Sequence, residues 1–131
     1  MRFLFLTLFI LLVGCKEKEL TPVGQEYLLV GKTPMIITLG FNPDGRFYGK
    51  AVNEYWGQYH IRDNIISFSG VTNTMKAGTK PQMQAERKFF DSLTNGHSFE
   101  ITEDNLKIFF DETGVLEFQV KKESDFTPLL H

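Results

Sequence analysis

One cysteine and three histidines are all that this chain of 131 residues offers of the side chains that most readily hold metals or transfer electrons. A lone thiol, Cys15, excludes any disulfide within the chain. His60, His97 and His131 fall at neither helical nor hairpin spacing, so no metal site is expected, and no cofactor with it. No Gly-x-Ser-x-Gly elbow occurs. Acidic residues are plentiful, yet nothing pairs two of them across a cleft as glycoside hydrolysis demands. The reading is therefore non-enzymatic, with no catalytic residue assigned. Basic residues number 14 against 16 acidic, with both signs scattered, which leaves no nucleic-acid footprint. Nor is there a membrane-spanning run: the apolar stretch Phe3 to Leu12 has ten residues, half of the roughly 20 a bilayer requires.

What the N-terminus does contain is a ten-residue apolar run behind a basic residue, Arg2, and ahead of Leu12-Val13-Gly14-Cys15. This is the order of a lipoprotein export signal, in which small residues admit the peptidase and the thiol receives a diacylglycerol. Residues 1–14 are expected to be removed and Cys15 to carry the lipid that attaches the chain to a membrane. A buried helix followed by a free thiol, or an ordinary signal cut without lipidation, are the competing readings. Lys16 after the cysteine, where Asp would retain the protein at the inner membrane of enteric bacteria, favours the outer membrane of the cell envelope. Cleavage would leave 117 residues with a net charge of about −3, enough for one core that buries roughly 65% of the unfolded surface. A single monomeric domain is expected.

Residues 15–25 (Lys16-Glu17-Lys18-Glu19, closed by Pro22 and Gly24) read as a solvated tether. The domain is expected over 26–120. From Thr33 the pattern has period two, with Met35, Ile37, Leu39 and Phe41 on one side, and Asn42-Pro43-Asp44-Gly45 then supplies turn residues before a returning strand, Arg46 to Val52. A second hairpin turns at Arg62-Asp63-Asn64, between Tyr59/Ile61 and Ile66/Phe68. Three further strands turn at Glu103-Asp104-Asn105 and Asp111-Glu112-Thr113-Gly114. Between these regions Pro81 to Leu93 follows a helical period, with Met83, Phe90 and Leu93 on one face and Phe89 beside it. Thr79-x-x-Gln82 has the form of a capping box, and Asn95-Gly96 that of a left-handed stop. About eight short strands, joined mainly by tight turns and interrupted by one helix, predict a mainly β protein. Its expected form is an antiparallel meander making a small closed or partly open barrel, with a two-sheet sandwich as the alternative. Residues 121–131 lose all periodicity, although Phe126, Leu129 and Leu130 have the character to dock.

The chain resembles the META domain, the HslJ-like family of small bacterial envelope proteins. The resemblance rests on Phe41-x-x-Asp44-Gly45-Arg46-Phe47-x-Gly49, Asn53-x-Tyr55-x-Gly57-x-Tyr59, Thr74-Met75, Glu86-x-x-Phe89-Phe90-x-x-Leu93, Phe99-x-Ile101-x-x-x-x-Leu106 and Leu116-x-Phe118. It implies a barrel of lipocalin-like topology and an association with envelope integrity and stress tolerance, without an established enzyme activity. Many members carry one cysteine just before the motif's Asn and another after the Thr-Met pair. Val52 and Gly78 stand near those places here, so the disulfide suggested by the family is absent.

Two groups of residues remain as candidate sites. Asn53, Tyr55, Gly57 and Tyr59 form either a binding loop or a core corner with satisfied hydroxyls, Asn53 being a residue that tolerates left-handed backbone. Trp56 falls on the opposite side in an extended segment and is the candidate contact surface. Glu86 should lie on the helix face that meets the sheet, where it needs donors such as a Tyr hydroxyl, Thr74 or a backbone N–H. A structural bond network and a binding role are both open for it. The leading functional reading is a lipoprotein that contacts another protein or the envelope itself. The alternative is a small-ligand barrel, opposed by the large inward side chains Phe41, Phe47, Phe68, Ile108, Phe110 and Phe118.

Overall fold

The computed structural model describes residues 19–122. Cys15, the export signal and the docking residues Phe126, Leu129 and Leu130 lie outside the described residues. Eight antiparallel strands close into a barrel in simple sequence order. They are β1 (Glu26–Leu29), β2 (Thr38–Phe41), β3 (Arg46–Lys50), β4 (Glu54–Arg62), β5 (Ile65–Asn73), β6 (Gly96–Ile101), β7 (Asn105–Phe110) and β8 (Gly114–Val120). Among the described residues the one helix, α1 (Lys80–Thr94), is inserted between β5 and β6. Closure is made by β1 pairing with β8, through Tyr27↔Val120 and Leu29↔Phe118.

The meander follows from its turns. Gly45 adopts φ +90 behind Asn42-Pro43-Asp44, and the Asp44 carboxylate accepts the Arg46 main-chain N–H. Asp63, at φ 54, makes the β4–β5 turn. The helix has the expected capping box: Thr79 accepts from the Gln82 N–H, while the Gln82 side chain accepts from the Thr79 N–H at 2.9 Å.

Several expectations need correction. Thr33 to Ile37 is not strand, because the chain leaves the β1 ladder at Gly31 (φ +125) while Val30 turns to bond Glu117 on β8. The inward alternation persists regardless, with Met35 packed on the core and Ile37 buried. The solvated tether is shorter than 15–25: Pro22 is buried, and the Gly24 N–H donates to the Phe41 carbonyl at 2.7 Å. The strand from Arg46 stops at Lys50 rather than Val52, giving way to a corner at 51–53. No left-handed stop ends the helix. Asn95 has φ −89 and its N–H bonds back to Asp91 and Leu93, while Gly96 already starts β6. The glycine there answers a packing demand instead, since a Cβ on it would meet Leu93 O and Ile108 Cγ2 at 3.0 Å.

The barrel interior is full. Phe41, Phe47, Phe68, Leu106, Ile108 and Phe118 are buried inside it, with edge-on ring contacts such as Phe47–Phe68 at 5.3 Å. Phe110 does not join them. It is half-buried, with its ring over Gly114, where a Cβ would come within 2.3 Å of it. The helix presents Glu86, Phe89, Ser92 and Leu93 to the barrel, Glu86 and Leu93 as expected, with Phe89 buried in place of Met83 and Phe90. Phe89 is the helix ring driven into the core, against Tyr55 at 5.6 Å and Phe118 at 6.4 Å, and Phe90 covers Tyr55 from the outside.

Candidate functional site

The corner at 51–53 makes the Asn53 side chain indispensable to its own surroundings. Its main-chain N–H donates to Glu86 Oε2 at 2.7 Å and its Nδ2 to Glu86 Oε1 at 2.9 Å. The same Nδ2 reaches the Lys76 carbonyl at 3.1 Å, and its Oδ1 accepts from the Thr74 hydroxyl at 2.9 Å and the Lys76 N–H at 2.6 Å. The Asn53 carbonyl in turn accepts from the Ala51 N–H. One side chain thus closes the β3–β4 corner, fixes the segment leaving β5 and ties both to α1. With Asn53 only 1% and Glu86 3% exposed, these bonds are protected from competing water. Asn53 achieves this without a left-handed backbone: among the described residues only Asp63 and Asp111 have positive φ outside glycine.

From that corner β4 runs with Tyr55, Gly57 and Tyr59 inward and Trp56 outward. Tyr55 crosses the space left by Gly49 and donates its hydroxyl to the Thr38 carbonyl. A Cβ at Gly49 would stand 2.5 Å from the Tyr55 ring, which explains a motif glycine whose role the sequence did not disclose. Gly57 does the same for Phe47, whose ring a Cβ would approach to 2.5 Å. Tyr59 donates to the Asn42 carbonyl at 2.5 Å, closing the opposite end of the barrel. Burial pushes the Tyr55 hydroxyl well above its ordinary range, so it remains a neutral donor.

The structure therefore brings Asn53, Thr74 and Glu86 into one buried network and sets Tyr55, Gly57 and Tyr59 beneath it in the core. Thr74, named as a direct donor to Glu86, acts one step away through Asn53. Its neighbour Met75 is 93% exposed. Two participants were missed. The Lys76 main chain has no signature in side-chain pattern, whereas Gly49 was quoted in the motif and could have been found from its place opposite Tyr55.

Above the network lies an open groove of about 480 Å3 floored by Met83 and Phe90 and edged by Arg87 and Asp91. Both oxygens of Glu86, at its base, are engaged by Asn53, an arrangement suited to clamping the chain. Trp56 stands apart on the outer sheet face, 44% exposed. Among the described residues no group of three His, Cys, Asp or Glu side chains is arranged to hold a metal, and no helix is long and apolar enough to cross a membrane.

Fold and network together define a small, filled, eight-stranded barrel whose helix is bolted to a strand corner by one Asn–Glu pair. The META domain pattern matches residues 19–123, and the chain belongs to that family. Its fold is similar to that of a protein from Burkholderia xenovorans solved by NMR, at 20% identity and a TM-score of 0.66 over 76% of this chain and 83% of that one. A second NMR structure is similar at 13% identity and a TM-score of 0.58, over 73% and 88% of the two chains. A DUF4847 family protein from Bacteroides vulgatus gives 16% identity and a TM-score of 0.51, over 63% and 57%. No curated protein matches the chain.

Proposed function

We propose that this is a non-enzymatic lipoprotein of the bacterial envelope, held by lipid on Cys15 with the outer membrane as its destination, and contributing to envelope integrity or stress tolerance through surface contacts. The observation that carries the contact reading is the filled interior. Phe41, Phe47, Phe68 and Phe118 occupy the space a carried ligand would need, which favours an outer surface over an inner chamber as the working part. The motif residues Asn53, Tyr55 and Tyr59 spend their polar groups on main-chain and Glu86 partners, so they serve the fold, and Trp56 is the motif residue left to a partner.

The path of the chain suits an anchored domain. It enters β1 at the barrel end that carries the 42–45 and 62–64 turns, opposite the end where Asn53 meets the helix. With six residues between Cys15 and the buried Pro22, spanning at most about 20 Å, the helix end would face away from the membrane. The anchor is acyl burial, worth about 0.8 kcal/mol per methylene. Cell fractionation tests the anchor: Cys15→Ser should release a folded domain from membranes. Sedimentation of that variant with membranes after a high-salt wash would overturn the lipid reading.

A further inference from the structure

We propose that the outward face of β3, β4 and β5, centred on Trp56, is a binding site for an acidic polysaccharide. This goes beyond the envelope reading by naming the chemistry of the contact, and it does not depend on the lipid.

Register places the outward residues in two parallel rows across the three strands. Tyr48, Trp56 and Thr72 are successive partners in one row, and Arg46, Gln58 and Ser69 in the other. Neighbouring strands lie about 4.8 Å apart and the two rows are two residues, about 7 Å, from each other, the scale of a sugar ring lying flat. The first row supplies aromatic surface. Tyr48 is 37% exposed, and it is held down on Gly40, where a Cβ would come within 2.2 Å of the ring. Trp56 stands beside it as its partner on β4 and is likewise exposed. An aromatic body with a polar tip takes the apolar face of a ring while bonding its edge. The second row supplies a guanidinium, an amide and a hydroxyl, the donors and acceptors that match sugar hydroxyls and carboxylates.

A bulge opens the space between the rows. β5 places two residues, Gly70 and Val71, opposite the single Gly57, and Gly70 takes φ +64 with nothing within 4 Å of where its Cβ would be. The missing side chain leaves a cleft of about 400 Å3 lined by Arg46, Trp56, Gln58 and Thr72.

Charge selects among ligands. The chain as a whole is acidic, yet the outward positions of β3 to β5 carry Arg46, Lys50 and Arg62 against Glu54 alone. Arg46 makes no ion pair among the described residues, its contact with Asp44 being through its main-chain N–H. An unpaired guanidinium beside an aromatic row asks for an anion carried on a flat, hydroxyl-rich scaffold. Three cations are too few for a nucleic-acid track, and the polar second row does not suit insertion into a bilayer.

Trp56 is the chain's only tryptophan, so its fluorescence reports on this site alone. The full chain, in neutral detergent, would be titrated with short alginate chains, neutral dextran and oligothymidylate, and separately placed in micelles containing phosphatidylglycerol. Expected is a saturable change with alginate, with dextran and oligothymidylate at least tenfold weaker. Arg46→Gln should lose at least tenfold without a change in unfolding midpoint, and Lys107→Gln, on β7, should bind as the parent does. Calorimetry of Trp56→Ala should show a loss of the same order. No saturable response to alginate, an equal response to oligothymidylate, a response to phosphatidylglycerol alone, or an unaffected Arg46→Gln variant would each overturn the proposal.

Discussion

The Glu86 carboxylate holds both the main-chain N–H and the side-chain amide of Asn53, at 2.7 and 2.9 Å, although the two residues lie 33 positions apart. Bonds to a buried charged acceptor are stronger than neutral ones, and losing one partner leaves the other desolvated. Glu86→Ala should therefore cost about 3 kcal/mol of stability. Glu86→Gln should cost less, since one acceptor oxygen survives while its NH2 meets an Asn53 donor. Urea titration of both variants checks the order.

Val52 and Gly78 stand side by side at the same corner: a Cβ on Gly78 would lie 3.1 Å from Val52 Cγ1. The double variant Val52→Cys/Gly78→Cys should form a disulfide on mild oxidation, because this proximity lies in the range that a bridge needs. It should stabilise the domain by about 3 kcal/mol, less whatever the shift of the nearby Gln82 side chain costs. Thiol titration with matched oxidised and reduced melts would read both results.

The two adjacent helix phenylalanines should differ sharply. Phe89→Ala opens a hole against Tyr55 and Phe118 and should cost about 3 to 5 kcal/mol. Phe90, half-buried over Tyr55, should cost about 1 to 2 kcal/mol by the same substitution. Denaturant midpoints of the two variants decide which ring is core.

Alkali should weaken the fold. Burial pushes the Tyr27 hydroxyl up to about 12 from 10.0 and holds that of Tyr55 well above the same value. The folded state binds these protons more tightly than the unfolded chain, so their contribution is complete below about pH 10 and is lost as pH rises toward the folded values. Unfolding midpoints followed from about pH 8 to pH 11 should fall, and the fall should be shallower in Tyr27→Phe.

Much of this fold was legible because its signals are local. Asn42-Pro43-Asp44-Gly45, the Thr79/Gln82 box and the alternation at Leu106, Ile108, Leu116 and Phe118 each specify structure from residues a few positions apart. Failures came where a distant partner decides. Both Phe89 and Phe90 fit an apolar helical stripe, and only the angle at which α1 meets the barrel selects Phe89. Met35 and Ile37 alternate like a strand, yet β1 turns to β8 at Val30, so its pairing reaches the Ile37 carbonyl through the Leu29 N–H and stops short of Met35. At the site, Asn53 and Glu86 were each singled out, but nothing in their spacing joins them. The side of the sheet taken by Tyr55, Trp56 and Tyr59 was readable, because the period of two survives the corner.

The division of the motif into a buried support and an exposed contact is tested most directly by the thermal midpoints of Asn53→Ala and Trp56→Ala, measured side by side on the full chain. Truncating Asn53 strips partners from Glu86, Thr74 and Lys76 together, so its midpoint should drop by several degrees, corresponding to about 2 to 3 kcal/mol. Trp56, on the outer face, should leave the midpoint within about a degree of the parent. An unmoved midpoint for Asn53→Ala, or a large drop for Trp56→Ala, would contradict the account.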